Sequence, residues 1–231
     1  MVILDGGHAL YTNICDNVYA GVGILLHERH VKQSNRIQNV SGRVLALDFT
    51  VNGNKMRSIA TYVPHCGYSV QHLEQTYDQL RCVVSEARRS KRAVIIGGDF
   101  NTQIDIGRRG ILLKQLSEEF GLRITNDTIP ETADDWTFRS STGITRRIDF
   151  VLATYSFLIA ESGPSTILDL GSDHKAVRTK VSAQKRRNRH HARKSSMKGW
   201  SPNLNADGVP DKYHEALDLN LDQKSMKMWR F

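Results

Sequence analysis

Short apolar runs bounded by glycine, asparagine, proline or charged residues recur through the first 183 positions, a pattern typical of β-strands. Six such runs span residues 21–26, 43–49, 57–63, 92–100, 146–154 and 175–181. Asn52-Gly53 lies between two of them and predicts a β-hairpin. Residues 94–98 show almost no alternation of polar and apolar positions, which predicts a strand buried on both faces.

Two further segments show the three- and four-residue spacing of an amphipathic helix. The first begins after Ser69, a favourable N-cap, and its apolar positions are Val70, Leu73, Tyr77, Leu80, Val83, Val84 and Ala87. The second covers residues 110–121 and ends at Gly121, a residue type common just after helices. Strands interspersed with two helices predict layers of sheet and helix around one core.

Composition narrows the class of protein. The chain has 231 residues, of which 39% are hydrophobic and 24% charged. This usage is typical of globular proteins and excludes collagen-like and wholly disordered chains.

The cysteines Cys15, Cys66 and Cys82 form no CxxC pair, so we expect reduced thiols of an intracellular protein and no zinc site. No apolar run reaches the roughly 18 residues of a membrane span, and the start lacks the basic region of a signal peptide.

The net charge of +8 is concentrated at the C-terminal end. Residues 185–231 carry 11 Lys and Arg against 5 Asp and Glu, and residues 185–194 contain six basic residues and no acidic one. We therefore predict a nearly neutral domain over residues 1–184 and a basic linker or tail over 185–231. The basic block fits a solvated linker, a polyanion contact or a nuclear localisation signal.

Four segments place polar residues where apolar strands end or turn. Their polar members are Tyr62, His65, Asp99, Asn101, Asp149, Asp173 and His174. Each of them alone fits an ordinary structural role. Together they supply carboxylates for a hard divalent cation, amide and imidazole groups for phosphate oxygens, and groups that move protons. The set therefore points to metal-assisted phosphate hydrolysis.

The order YVPH, GGDFN, RRIDFVL and GSDH resembles the endonuclease/exonuclease/phosphatase superfamily, from about residue 18 to residue 183. Within that superfamily the chain is most similar to the endonuclease domains of non-LTR (LINE-type) retrotransposons and to craniofacial-development-like proteins. The resemblance implies a four-layer α/β sandwich, with two packed β-sheets flanked by helices. The segment after residue 197 resembles the connector that precedes a reverse transcriptase, although no polymerase motif occurs in this chain.

The resemblance also assigns roles to individual residues. Asp99 would orient or activate a water, or protonate the leaving oxygen, and Asn101 would contact the scissile phosphate. Asp149 would pair with His174 and fix its tautomer, and His174 would donate a hydrogen bond to a phosphate oxygen and so stabilise the charge of the transition state. Tyr62 would donate to the phosphate, and Asp173 would help to bind Mg²⁺, with Mn²⁺ as an alternative. Ser172 would be a turn residue and His65 a rim residue.

The resemblance departs from the family pattern at the N-terminal end. Family members have a strand ending in asparagine, and then a glutamate that is the main metal ligand, well before the position of Gly21. Those positions would fall before Met1, so we expect a domain that is incomplete at its N-terminus and binds Mg²⁺ weakly. Asp5 is a poor substitute because Gly-Gly-His follows it.

Three functions remain open from the sequence. The leading prediction is a Mg²⁺-dependent DNA endonuclease of a retrotransposon-derived protein, located in the nucleus. The alternatives are a relative that hydrolyses another phosphoester, such as RNA or a phospholipid headgroup, and an inactive nucleic-acid-binding remnant. Contacts to the DNA or RNA backbone are predicted for Arg108, Arg109, Arg146 and Arg147, and no contact with a membrane is expected. Trp136 and Phe138 are predicted to lie in the core.

Overall fold

The fold was analysed in a computed structural model that describes residues 1–13, 20–127, 135–165 and 171–183. The helices are α1 (Glu28–Val31), α2 (Val70–Arg89) and α3 (Gly107–Glu119). The strands are β1 (Val2–Ile3), β2 (Ala9–Thr12), β3 (Gly23–Leu26), β4 (Ser34–Ser41), β5 (Val44–Val51), β6 (Asn54–Tyr62), β7 (Ala93–Asp99), β8 (Leu122–Ile124), β9 (Phe138–Arg139), β10 (Thr145–Arg146), β11 (Asp149–Thr154), β12 (Phe157–Pro164) and β13 (Val177–Ala183).

Some predictions concern residues outside these ranges. Cys15 and the basic segment 185–231 lie outside the described residues, so the domain boundary near residue 184 stays a prediction. Cys66 and Cys82 are free, exposed thiols. Among the described residues, no helix is both long and apolar enough to cross a membrane.

A six-stranded sheet in the order β4-β5-β6-β7-β11-β8 forms the centre of the fold. All neighbouring strands in it are antiparallel except β6 and β7, which are parallel and are joined through α2. A parallel pair requires such a crossover because a hairpin cannot connect strands that run in the same direction. Helices α2 and α3 pack on one face of the sheet through one apolar cluster, whose members include Tyr77, Leu80, Leu113 and Ile96.

Local sequence signals account for one hairpin and for the ends of the two long helices. The Asn52-Gly53 turn between β5 and β6 has positive φ at both residues (50° and 77°), as a two-residue hairpin of the type I′ class needs. The predicted N-cap of α2 is confirmed, since the Ser69 hydroxyl accepts a hydrogen bond from the His72 amide. Gly121 follows the end of α3 with a φ of 52°, as predicted.

A second layer covers the opposite face of the central sheet. It consists of the sheet β1-β2-β3 and the hairpin β12-β13, which pack on the central strands through Tyr11, Phe157 and their neighbours. The predicted α/β fold with packed sheets and helices is therefore confirmed. Strands β1 and β2 were not predicted, because β1 has only two residues and the four residues of β2 are too few to show a clear period.

The central strand β7 differs from its prediction. Val94 and Ile96 are fully buried beneath the helices, whereas Ile95 and Gly97, on the other face, are only half-buried. The expectation of burial on both faces is therefore wrong for the face toward the second layer. The apolar residues on that face reflect its packing beside the second hydrophobic cluster.

A buried ion pair joins β5 to β6, and its arginine also donates to the Val83 carbonyl of α2. Loss of this arginine is expected to destabilise the domain strongly. Arg57 and Asp48 are only 1% and 2% exposed and form two hydrogen bonds of 2.6 and 2.8 Å. Arg57→Leu should cost about 3–5 kcal/mol in the free energy of unfolding, because it leaves the buried carboxylate with Arg92 alone. Urea unfolding measures this loss.

Arg36→Leu is the control for that substitution. Arg36 pairs with Glu86 and its side chain is 52% exposed, so its loss should cost less than about 1 kcal/mol. Equal losses in the two variants would contradict the assignment of the Arg57 pair as an anchor.

Candidate active site

Three of the predicted side chains stand in one row across neighbouring strands. The register pairs Tyr62 on β6 with Asp99 on β7, and Asp99 with Asp149 on β11. Residues paired directly across neighbouring strands project from the same face of a sheet. The row therefore brings together residues that are 37 and 50 positions apart in the chain.

Gly98 permits the close approach of β6 and β7 next to this row. A Cβ atom at residue 98 would lie 1.8 Å from the carbonyl oxygen of Thr61, so no side chain fits there. Gly98 therefore serves the pairing of the strands that carry Tyr62 and Asp99, whereas Gly97 has free space around its Cα.

Asn101 holds the Asp99 carboxylate in place. Its backbone N–H donates to Asp99 Oδ1 at 2.7 Å, and its side-chain Nδ2 donates to Asp99 Oδ2 at 3.1 Å and to the Val63 carbonyl at 2.8 Å. The two-residue spacing predicts both side chains on one side of an extended chain. In the structure β7 ends at Asp99 and Asn101 has a φ of 50°, so hydrogen bonds in a turn bring the two together.

His174 meets Asp149 as the resemblance implied, with 3.0 Å between Nδ1 and Oδ2. The histidine is held beside Phe138 by a single β-bridge, and the two rings lie 5.0 Å apart. Ser172 supports the turn before it, since its hydroxyl accepts a hydrogen bond from the His174 backbone N–H. The pair thus joins the start of β11 to the loop before β13.

Two residues that support Asp149 were not predicted. The fully buried Thr137 hydroxyl accepts hydrogen bonds from the backbone N–H groups of Ile148 and Asp149, both at 3.0 Å. The fully buried Asn126 side chain bonds the Asp149 carbonyl and the Val151 N–H. No sequence pattern singles them out, because polar residues that satisfy buried backbone groups look like ordinary loop residues until the fold is known.

The two carboxylates and the imidazole form a cluster that fits a divalent cation. One ligand atom each of Asp99, Asp149 and His174 lies within 4.8 Å of the others. Burial and, secondly, the charge of Asp149 raise the pKa of Asp99 to about 6. Burial also raises the pKa of Asp149, against hydrogen bonds from Thr137 and the influence of His174. A cation between the carboxylates would offset this unfavourable negative charge, and oxygen ligands suit Mg²⁺ or Mn²⁺.

Asp173, the predicted metal ligand, lies outside this cluster of three. It is exposed, and its Oδ1 accepts a hydrogen bond from Ser172 at 3.3 Å. Its negative charge still contributes to the raised pKa of Asp149. Its assignment as a metal ligand stays a prediction.

The predicted nucleic-acid contacts lie in different surroundings. Arg108 pairs with Glu74, and Arg109 donates to the carbonyls of Pro64 and His65. Arg147 donates to the Asn126 carbonyl and is only 14% exposed. Arg146 is exposed on β10. Three of the four guanidinium groups thus have contacts within the domain.

The aromatic residues beside His174 are less buried than predicted. Trp136 and Phe138 are half-buried and belong to neither hydrophobic cluster among the described residues. The Trp136 ring instead makes cation–π contacts with the Arg139 guanidinium and the Lys175 ammonium. The prediction that these rings are core residues is therefore wrong for both of them. His65 is exposed, as a rim residue would be.

Residues 3–174, which include the whole row and His174, match the endonuclease/exonuclease/phosphatase family. The chain belongs to this family. The match extends through the N-terminal strands to the histidine of the candidate site, and the family consists of nucleases and phosphatases. Among curated proteins, none matches the chain.

Several solved structures share the fold of this chain at low sequence identity. The AP endonuclease LMAP from Leishmania major has 14% identity and a TM-score of 0.61, over 78% of this chain and 71% of that one. The endonuclease domain of TRAS1, a telomere-specific non-LTR retrotransposon, has 18% identity and a TM-score of 0.60, over 78% and 80%. The 3′ phosphatase NExo from Neisseria, bound to product DNA hairpin, has 17% identity and a TM-score of 0.58, over 76% and 80%.

Proposed function

We propose that this chain is a metal-dependent phosphodiesterase that cleaves DNA, as the endonuclease domain of a retrotransposon-derived protein. The observation that carries the proposal is the cluster of Asp99, Asp149 and His174, with Tyr62 in register beside it. Support for a nucleic-acid substrate comes from the similarity to an AP endonuclease, to a retrotransposon endonuclease and to a phosphatase bound to DNA.

The side chains have complementary tasks in this proposal. Asp99 orients or deprotonates the attacking water, or protonates the leaving oxygen, and Asn101 fixes the direction of its carboxylate. Asp149 orients His174, whose other ring nitrogen donates to a phosphate oxygen. Tyr62 donates to the same phosphate group. A cation held by Asp99 and Asp149 would supply charge stabilisation to the phosphate oxygens.

A plasmid-nicking assay tests the proposal. The wild type should nick supercoiled DNA with Mg²⁺ or Mn²⁺, and EDTA should abolish the nicking, because the carboxylate cluster needs a cation to hold a phosphate. An oligonucleotide with a 3′-phosphate is the second substrate. Release of phosphate from it without nicking would favour a phosphatase like NExo and contradict the endonuclease proposal.

Asp78→Asn is the matched control for these assays. Asp78 is an exposed carboxylate on α2 that pairs with Arg81, so its substitution should leave nicking at the wild-type rate. DNA binding without any turnover, in the presence of either cation, would support an inactive nucleic-acid-binding remnant.

A further inference from the structure

Arg43 extends the row of the candidate site by one strand. Val44, the first residue of β5, pairs with Thr61. Arg43 precedes it and therefore lies opposite Tyr62, the last residue of β6. The Tyr62 backbone N–H donates to the Arg43 carbonyl at 3.0 Å, and Arg43 Nη1 donates to the Tyr62 carbonyl at 3.3 Å. Since opposite residues share one face of a sheet, Arg43 stands next to Tyr62 at the end of the row that leads to Asp99.

The Arg43 guanidinium contacts two tyrosine rings. Its central carbon lies 5.0 Å from the centre of the Tyr62 ring and 4.5 Å from the centre of the Tyr68 ring. A planar guanidinium is attracted to the face of an aromatic ring and stacks on it. Tyr68 lies in the turn before α2, where its backbone N–H donates to the His65 carbonyl at 3.1 Å. The guanidinium therefore links the Tyr62 ring to a second ring on a different segment.

No carboxylate pairs with Arg43 in the described part of the chain. By contrast, Arg57 and Arg92, whose side chains are 1% and 14% exposed, both pair with Asp48. Arg43 Nη2 is buried and has no hydrogen-bond partner there, which is unfavourable because a buried donor has lost its water. An ion pair therefore does not explain this arginine, and the two rings and the Tyr62 carbonyl hold its guanidinium.

The Tyr62 hydroxyl has no hydrogen-bond partner among the residues that the structure describes. The orientation of the half-buried Tyr62 ring therefore depends on contacts with the ring itself, and the Arg43 guanidinium makes such a contact. A change of side-chain rotamer would move the hydroxyl, which is at the far end of the ring, away from its place. Displacement of a reacting contact by about 1 Å costs up to about 10²-fold in rate.

We infer that Arg43 is a positioning residue, which holds the Tyr62 ring so that the hydroxyl is directed at the phosphate that is cleaved. This inference rests on the proposed function, in which Tyr62 donates a hydrogen bond to that phosphate. Arg43 acts through Tyr62 and is not itself a phosphate ligand. Its loss therefore costs no more than the loss of the Tyr62 hydroxyl, and it costs nothing further once that hydroxyl is gone.

A double-mutant cycle with plasmid nicking tests this dependence. Arg43→Met removes the cation and keeps a long side chain, so kcat should fall about 10-fold while KM stays within about 3-fold. Tyr62→Phe should lower kcat about 10²-fold, as expected for the loss of one hydrogen-bond donor to the transition state. In the Tyr62→Phe background, Arg43→Met should lower kcat by less than about 2-fold further. Arg43→Lys keeps a cation near the rings and should retain more activity than Arg43→Met.

Arg123→Met is the matched control, since Arg123 also stacks on a tyrosine ring, that of Tyr155, at 5.1 Å. Arg123 lies opposite Ala153, near the end of β11 away from Asp149, so this variant should nick DNA at the wild-type rate. Thermal unfolding of each variant verifies that it is folded. An equal loss from Arg43→Met with and without the Tyr62 hydroxyl would indicate a direct contact with the substrate and would overturn the inference.

Carbon-13 NMR of the tyrosine rings in EDTA separates this inference from the proposed function. The Tyr62 ring should flip at least about 10-fold faster in Arg43→Met than in the wild type, because the cation–π contact that restrains it is lost. Arg123→Met should leave the Tyr62 flip rate unchanged. If the wild type nicks no DNA, the proposed function fails while the flip rate still tests the contact. An unchanged flip rate in a folded Arg43→Met variant would overturn the positioning role.

Discussion

Replacing Asp99 with asparagine should lower the rate of DNA cleavage at least about 10³-fold while making the folded domain more stable at pH 8. The rate falls because asparagine can neither take up nor release a proton and is a weaker ligand for a cation than a carboxylate. The substitution is nearly isosteric, and the Asn101 N–H can still donate to the remaining side-chain oxygen. The loss of activity should therefore arise from chemistry, with the fold retained.

The gain in stability follows from the raised pKa of Asp99. Its pKa of about 6 in the folded state lies above the ordinary value of 3.8, so the folded state holds the proton more tightly than the unfolded state. Wild-type stability is therefore lost as the pH rises from about 4 to about 6, by roughly 3 kcal/mol at most. The Asp99→Asn variant lacks this loss but weakens one hydrogen bond to Asn101, so a net gain of about 2 kcal/mol is expected.

Unfolding in urea at pH 4 and at pH 8, with EDTA present, measures both values. The variant should exceed the wild type at pH 8 and lie about 1 kcal/mol below it near pH 4, where Asp99 is protonated and only the weakened hydrogen bond distinguishes the two proteins. For Asp78→Asn, on the exposed face of α2, the difference from the wild type in the free energy of unfolding should not increase with pH. A difference that is the same at both pH values would contradict the role assigned to burial and to the neighbouring Asp149 charge.

Replacing Asp149 with asparagine should lower kcat by about 10²–10⁴-fold. A carboxylate only accepts hydrogen bonds, so the Asp149 Oδ2 contact keeps a proton on His174 Nδ1 and directs the other ring nitrogen toward the phosphate. An asparagine can turn its NH₂ group toward the ring and reverse that arrangement. The buried Thr137 and Asn126 contacts to the backbone should preserve the fold.

Nitrogen-15 NMR of His174 tests this positioning role independently of activity. The wild type should carry a proton on Nδ1, and Asp149→Asn should shift the ring toward a mixture of tautomers. Thr137→Val should lower kcat less, because it removes a hydrogen bond to the carboxylate and leaves its charge. A wild-type ring with no proton on Nδ1 would contradict the proposed orientation.

The sequence predicted which polar residues the fold brings together better than it predicted their surroundings. Asp99, Asp149 and His174 stand out because polar residues at the ends of apolar strands are conspicuous. The pairing of β7 with β11 that brings two of them together depends on contacts across 50 residues, which no local pattern encodes. Thr137 was overlooked beside Trp136 for a similar reason, since its buried hydrogen bonds exist only once β11 is in place.

The strand boundaries show the same limit. The predicted strand 146–154 is divided in the structure into the last residue of β10 and the whole of β11, and Arg147 between them donates to the Asn126 carbonyl. The alternation of polar and apolar residues could not reveal the break at Arg147, because the apolar run of the predicted strand begins directly after that residue. By contrast, α2 spans twenty residues and its buried positions match the predicted apolar stripe closely.

The row formed by Tyr62, Asp99 and Asp149 makes the geometry of the candidate site depend on strand register. Side chains alternate between faces along a strand, so a slip of β7 by one residue against β6 and β11 would turn Asp99 toward α2, into the layer occupied by Val94 and Ile96. Such a slip is opposed twice, since only Gly98 fits against the Thr61 carbonyl and a buried carboxylate in that layer would have no partner. Misfolded chains with this one-residue error would therefore be both inactive and unstable, which couples correct folding to the formation of the site.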